Sequence, residues 1–90
     1  MFTRVSAQKV EHTSGYVVQV LDRETIEYID GKKHATINVD FGPTVGVFKH
    51  TLGEIVSGQE SASLPESERE RILGRIIEGL RAMGCEVEIC

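Results

Sequence analysis

The chain predicts an α+β fold: a single α+β domain over residues 1–90, with an antiparallel five- or six-stranded sheet packed on one face by a single C-terminal helix, followed by a terminal strand. Three observations carry this. Within Ser61 to Cys90, the apolar residues Ile72, Leu73, Ile76, Ile77, Leu80 and Met83 recur at three- and four-residue steps, opposite Arg71, Arg75, Glu78 and Arg81. From His34 to Phe41 the chain alternates strictly, Ala35, Ile37, Val39 and Phe41 against His34, Thr36, Asn38 and Asp40. The rest of the first sixty residues is a series of short β-forming runs divided by turn residues.

Phe2 to Val10 reads as a weak edge strand, and Glu11 to Gly15 has loop composition. Tyr16 to Leu21 is a dense apolar strand, joined through the polar turn Asp22-Arg23-Glu24 to a second strand over Thr25 to Ile29. Asp30-Gly31 is a type I′ turn dipeptide, which folds that strand back onto His34–Phe41 and completes a meander. Gly42-Pro43 breaks this strand, Val45 to Phe48 can resume it, and His50 to Leu52 either continues it or turns. Gly53 to Ser61, with two glycines, reads as a linker. Ser63-Leu64-Pro65-Glu66 has the form of a capping box that starts the helix near Leu64, and Gly84 ends it as a left-handed cap. Cys85 to Cys90 returns as a strand, with Val87 and Ile89 alternating against Glu86 and Glu88. The helix stripe and the Ala35/Ile37/Val39/Phe41 row are the expected packing partners.

Ninety residues suffice for one modest core, so extra burial through dimerisation would help. The net charge of −4 is spread evenly: residues 1–60 hold six Lys/Arg against eight Asp/Glu, and residues 61–90 four against six. Without a basic tail or patch, the composition argues against nonspecific nucleic-acid and anionic-membrane binding. No signal-like N-terminal run and no stretch near the roughly 20 apolar residues of a bilayer span is present, so a cytoplasmic location is the expectation. Cys85 and Cys90, five apart in an expected strand, would sit roughly 16 Å apart on opposite faces and could not bridge. Cys85 then packs as a small apolar residue and Cys90 is an end-of-chain thiol.

Sites for chemistry are hard to find. His12, His34 and His50 have no partner histidine or cysteine at metal-ligand spacing, and a Cys–His nucleophilic pair rests only on both residue types being present. Gly42 and Gly46 open no helix and precede no Gly-Lys-Ser/Thr, so they cradle no phosphate; Ser57 and Ser63 lack a nucleophile elbow. No cofactor or metal is expected. The polar row His34, Thr36, Asn38 and Asp40, with Glu27 and Ile29 on the neighbouring strand, lies behind the strand face that meets the helix. In a two-layer fold that face is uncovered, and these residues are the expected partner-binding surface. His34 and Asp40, about 20 Å apart along one strand, are no catalytic dyad.

Tyr28-Ile29-Asp30-Gly31-Lys32, then Val47-Phe48-Lys49, then Leu64-Pro65-Glu66-Ser67-Glu68-Arg69-Glu70-Arg71-Ile72-Leu73 closing on Gly84-Cys85-Glu86-Val87-Glu88-Ile89, resemble small bacterial immunity proteins of polymorphic-toxin systems and mobile gene cassettes. The resemblance spans residues 25–90; a tryptophan expected just before the linker is absent. It implies binding of a cognate toxin with no chemistry by this chain. Three readings stand: a non-enzymatic cytoplasmic protein-binding module, with an immunity-type inhibitor as the form the resemblance implies; a self-associating structural or accessory protein that dimerises through its free sheet face or edge; and an enzyme or small-ligand binder with a pocket at the strand ends.

Overall fold

The computed structural model describes residues 1–6 and 8–89. In chain order the elements are β1 (Phe2–Ser6), β2 (Lys9–His12), β3 (Tyr16–Asp22), β4 (Thr25–Asp30), β5 (Lys33–Asp40), β6 (Val45–Phe48), β7 (Glu54–Ser57), β8 (Glu60–Ser63), α1 (Glu66–Ala82) and β9 (Val87–Ile89). The expected α+β architecture is present, with one helix near the C-terminus. The sheet is larger than expected: nine strands among the described residues, in the order β1-β2-β3-β4-β5-β6-β9, with β7 on β5 and β8 on β7. Every pairing is antiparallel except β6 with β9, which is parallel.

The added strands come from two stretches. The single strand expected over Phe2–Val10 is a hairpin, β1 lying at the sheet edge with Phe2 opposite His12 and Arg4 opposite Val10. The linker expected over Gly53–Ser61 is a second hairpin, Ser57 opposite Glu60. Its two-residue loop, Gly58-Gln59, turns because Gly58 takes φ +63°. The loop between β4 and β5 is likewise Gly31-Lys32, not Asp30-Gly31: Asp30 pairs with Lys33, and only the first loop residue has positive φ. That is the backbone signature of a type II′ turn, not the type I′ turn expected.

The helix begins later than expected and without the capping box. Pro65 is the N-cap, no side chain caps the helix, and Ser63 lies in β8 opposite Glu54. Proline disfavours the helical region for the residue before it, so Leu64 stays extended and its N–H donates to the Gly53 carbonyl at 2.9 Å. Glu66 and Glu68 then suit the positive end of the helix dipole. The C-terminus is as expected. Gly84 takes φ +92°, its N–H donates to the Arg81 carbonyl at 2.9 Å, and the Cys85 N–H donates to the Leu80 carbonyl at 3.1 Å, a Schellman motif. Cys85 lies in this turn instead of in a strand and is half-buried with a free thiol; Cys90, and any distance to it, lies outside the described residues.

One face of the curled sheet forms the core. Val10, Val18, Ile26, Tyr28, Ala35, Ile37, Val39, Val45 and Val47 point inward, and α1 buries Ile72, Leu73, Ile76 and Leu80 against them. Each such side chain contributes about 1.5–3 kcal/mol on burial. The helix packs chiefly over β1 to β4 and against β9, so its seat is shifted from the expected β5 row. Phe41 falls beyond the strand: β5 ends at Asp40, and Phe41 is 38% exposed instead of buried with Ala35, Ile37 and Val39. His50 belongs to a 3-10 turn, Lys49–Thr51, that drops Leu52 fully into the core.

The seat is set by Gly79. A Cβ at this position would lie 2.7, 2.8 and 3.0 Å from three carbons of Val18 on β3, inside van der Waals contact with a buried, β-branched side chain. Gly74, on the same helix, would place a Cβ within 4 Å of nothing. Gly79→Ala therefore lowers stability by about 1–2 kcal/mol, overpacking outweighing the helix-propensity gain, whereas Gly74→Ala raises it by about 0.5–1 kcal/mol. Thermal melts at micromolar protein check both signs; a stabilised Gly79→Ala variant would contradict the close approach.

Candidate functional site on the uncovered sheet face

Because β-strand side chains alternate, burying Ala35, Ile37 and Val39 turns His34, Thr36, Asn38 and Asp40 to the other face. The antiparallel register brings their neighbours alongside. Ile29 stands opposite His34, Glu27 opposite Thr36 and Thr25 opposite Asn38. One strand further, Val17 faces Ile29 and Gln19 faces Glu27; on the other side, Val56 faces His34 and Phe48 faces Asn38. All five residues expected from sequence thus share one face, and no element of the described residues lies over it. Glu27 is its organised centre. Its Oε1 accepts from Gln19 Nε2 at 2.6 Å and its Oε2 lies 3.6 Å from His34 Nδ1. Half-buried Val17, Ile29 and Val56 form an apolar strip beside this polar group. Strand alternation also puts the acidic side chains Glu11, Glu27, Asp40, Glu54 and Glu88 on this face, with Lys9 among them.

The outer edge of β5 is divided. β7 pairs with Lys33 and His34, β6 pairs with Asn38 to Asp40, and Thr36 has neither strand opposite it. The Val39 N–H donates to the Glu24 carbonyl toward β4, while the Asn38 N–H donates outward to Thr51 Oγ1 at 2.8 Å. Alternation then directs the Thr36 N–H and C=O into the gap. A cleft of about 290 Å³ opens there, lined by His34, Thr36, Thr51, Glu54 and Val56 among others. Nothing in the sequence signals this notch, which arises from where two strands stop.

A second constellation lies on the covered side, and sequence reading missed it. Arg75, placed by helical periodicity among the solvent-facing charges, reaches in at the shoulder of the helix instead. Its guanidinium lies 4.5 Å from the Tyr16 ring centroid, and its Nη1 donates to the Tyr28 hydroxyl at 2.7 Å and lies 3.4 Å from Asp30 Oδ2. The Tyr28 hydroxyl donates to the same Asp30 oxygen at 3.1 Å. His12 stacks on Tyr16 with centroids 4.6 Å apart, its Nδ1 2.6 Å from Ser14 Oγ and its Nε2 3.1 Å from the Met1 amine. With Tyr16 and Tyr28 3% and 1% exposed, this cluster pins helix to sheet and leaves little room for a substrate. An apolar cleft of about 480 Å³ opens at the C-terminal end of the helix, lined by Val20, Phe41, Met83 and Cys85 with Gln8, Asp22 and Arg23 at its polar margin.

Among the described residues, no group of three or more His, Cys, Asp or Glu side chains is arranged to hold a metal ion, and no helix is long and apolar enough to cross a membrane. No protein-family model matches the chain, and neither a curated protein nor a solved structure matches it at a significant level.

Burial pushes the Tyr16 hydroxyl above the ordinary tyrosine range, with Glu78 adding to the rise and Arg75 opposing it; burial likewise raises Tyr28 against the hydrogen bond from Arg75. Both groups hold their protons more tightly folded than unfolded. Their contribution is therefore whole below the unfolded value near 10 and is lost as pH rises through the raised values. The chain has two tyrosines and no tryptophan, so tyrosinate absorbance at about 295 nm reports this cluster alone. It should titrate above pH 10 in the folded protein, with the melting temperature falling in the same range; a normal titration with the fold intact would contradict the burial.

Proposed function

We propose that this chain is a non-enzymatic protein-binding module of the bacterial cytoplasm, of the immunity type, that occludes a partner protein such as a toxin through the uncovered face of its sheet. The observation that carries this reading is the asymmetry of the two layers. A helix covers one face, whereas the other presents an organised polar centre, Glu27 with Gln19 and His34, beside the strip Val17, Ile29 and Val56. Mixed apolar and satisfied polar surface on rigid strands suits recognition of a preformed protein surface. Acidic groups outnumber basic ones on this face, which favours a basic partner surface and steers its approach. Thr36, with its main-chain donor and acceptor turned into the notch, can take a polar side chain of that partner. The reading assigns no residue a chemical step and requires no cofactor, nucleic acid or membrane.

The test is affinity capture from host lysate with wild-type protein and with the triple variant His34→Lys, Asn38→Lys, Asp40→Lys, whose substitutions lie on the exposed face and leave the core untouched. The expected result is one stoichiometric partner that the variant loses while keeping the wild-type circular dichroism spectrum and melting temperature. A partner retained by the variant, or recovery of the tagged chain alone, would contradict the reading.

A further inference from the structure

We infer that the solvent face of α1 is a second, separate interface, and that its occupant is a second copy of this chain packed as an antiparallel helix pair. The stripe farthest from the core runs Ser67, Glu70, Gly74 and Arg81, all exposed, with half-buried Ile77 on its shoulder. These residues follow one another at the three- and four-residue steps of a single helix face, with Ile77 as its one large apolar side chain. Two features set it apart from an ordinary wet face.

The first is Gly74. Glycine is the poorest helix former after proline, and nothing inside the chain demands it here, since a Cβ would meet no atom within 4 Å. It leaves a hole on the outer surface of the helix, one residue type that lets another backbone or a large side chain approach. The second is the charge order. The helix carries four Glu (66, 68, 70, 78) and four Arg (69, 71, 75, 81). When a copy is laid antiparallel about a two-fold axis between residues 75 and 76, Ile77 of each helix meets Gly74 of the other, and Glu70 of each meets Arg81 of the other. The same operation sets Arg71, which in the monomer pairs with Glu68 at 2.7 Å, two residues or about 3 Å along the axis from Glu78 of the copy, within side-chain reach on the opposite shoulder. One register thus fills the hole and pairs opposite charges on both sides; a parallel pair would set Glu70 against Glu70 and Arg81 against Arg81. The contact leaves both sheet faces free, so it is independent of the partner-binding surface and would display two of them, outward, on one particle.

A single helix pair about 25 Å long is a small interface, so dissociation is expected on the order of 100 µM. Sedimentation equilibrium of the full chain from about 5 µM to about 1 mM should show the mass rising toward a dimer. Arg81→Glu should weaken association about tenfold or more by opposing Glu70, and the double reversal Glu70→Arg with Arg81→Glu should restore it. Gly74→Gln separates folding from association: it raises the melting temperature of dilute protein yet abolishes the dimer by filling the hole. A monomer throughout the wild-type range, or a dimer indifferent to these three variants, would overturn the inference.

Discussion

The contact on which the structure turns is the close approach of Gly79 to Val18. Because no side chain separates helix from strand there, α1 sinks onto β3, and the buried residues of the same helix face, Ile72, Ile76, Leu80 and Met83, reach the inner row of the sheet. That seat fixes what lies along the helix. Midway along it, Arg75 falls over Tyr16 and within reach of Tyr28 and Asp30, closing the interface with a satisfied polar lid. At the C-terminus, the Schellman turn at Gly84 redirects the chain so that β9 enters parallel to β6, Val45 opposite Val87. A helix held over β1 to β4 by one glycine covers the inner face and leaves the outer face as the surface of a single layer.

How far this was legible depends on what each segment advertises. The alternation of His34 to Asp40 and the three-four stripe of α1 are strong patterns because both elements bury one side against water, and both appear where periodicity places them. The central meander β3-β4-β5 followed from two short turns, though the β4–β5 loop sits one residue later than the Asp-Gly pair suggested. The β7–β8 hairpin was illegible: Glu60-Ser61-Ala62-Ser63 has no large apolar residue to announce a strand, and it is held by main-chain pairing with β7 alone. The capping box failed for a local reason, since Pro65 forbids the helical start that Ser63 would cap.

The polar face was legible as a row of residues, since alternation alone dictates that His34, Thr36, Asn38 and Asp40 share a side. Its cross-strand partners were only partly so. Glu27 and Ile29 follow from a hairpin register, whereas Gln19, Val17 and Val56 depend on pairings two strands away or on an element with no sequence signature. The notch at Thr36 depends on where β6 and β7 end along β5, which is a property of the assembled sheet. Arg75 shows the converse limit of periodicity: at the shoulder of the helix a long side chain can turn either way, and two buried tyrosines with a carboxylate turn it inward.

The most direct test of the central claim is a double-mutant cycle between positions 18 and 79. If the seat is the Gly79–Val18 contact, Val18→Ala removes Cγ1 and Cγ2, two of the three carbons that a Cβ at residue 79 would strike, and leaves only the Val18 Cβ in the way, so adding Gly79→Ala to that background should cost less than in the wild type, with a coupling on the order of 1 kcal/mol. Additive effects, each substitution costing the same with or without the other, would mean that helix and strand do not meet there and that the layers are held in some other way.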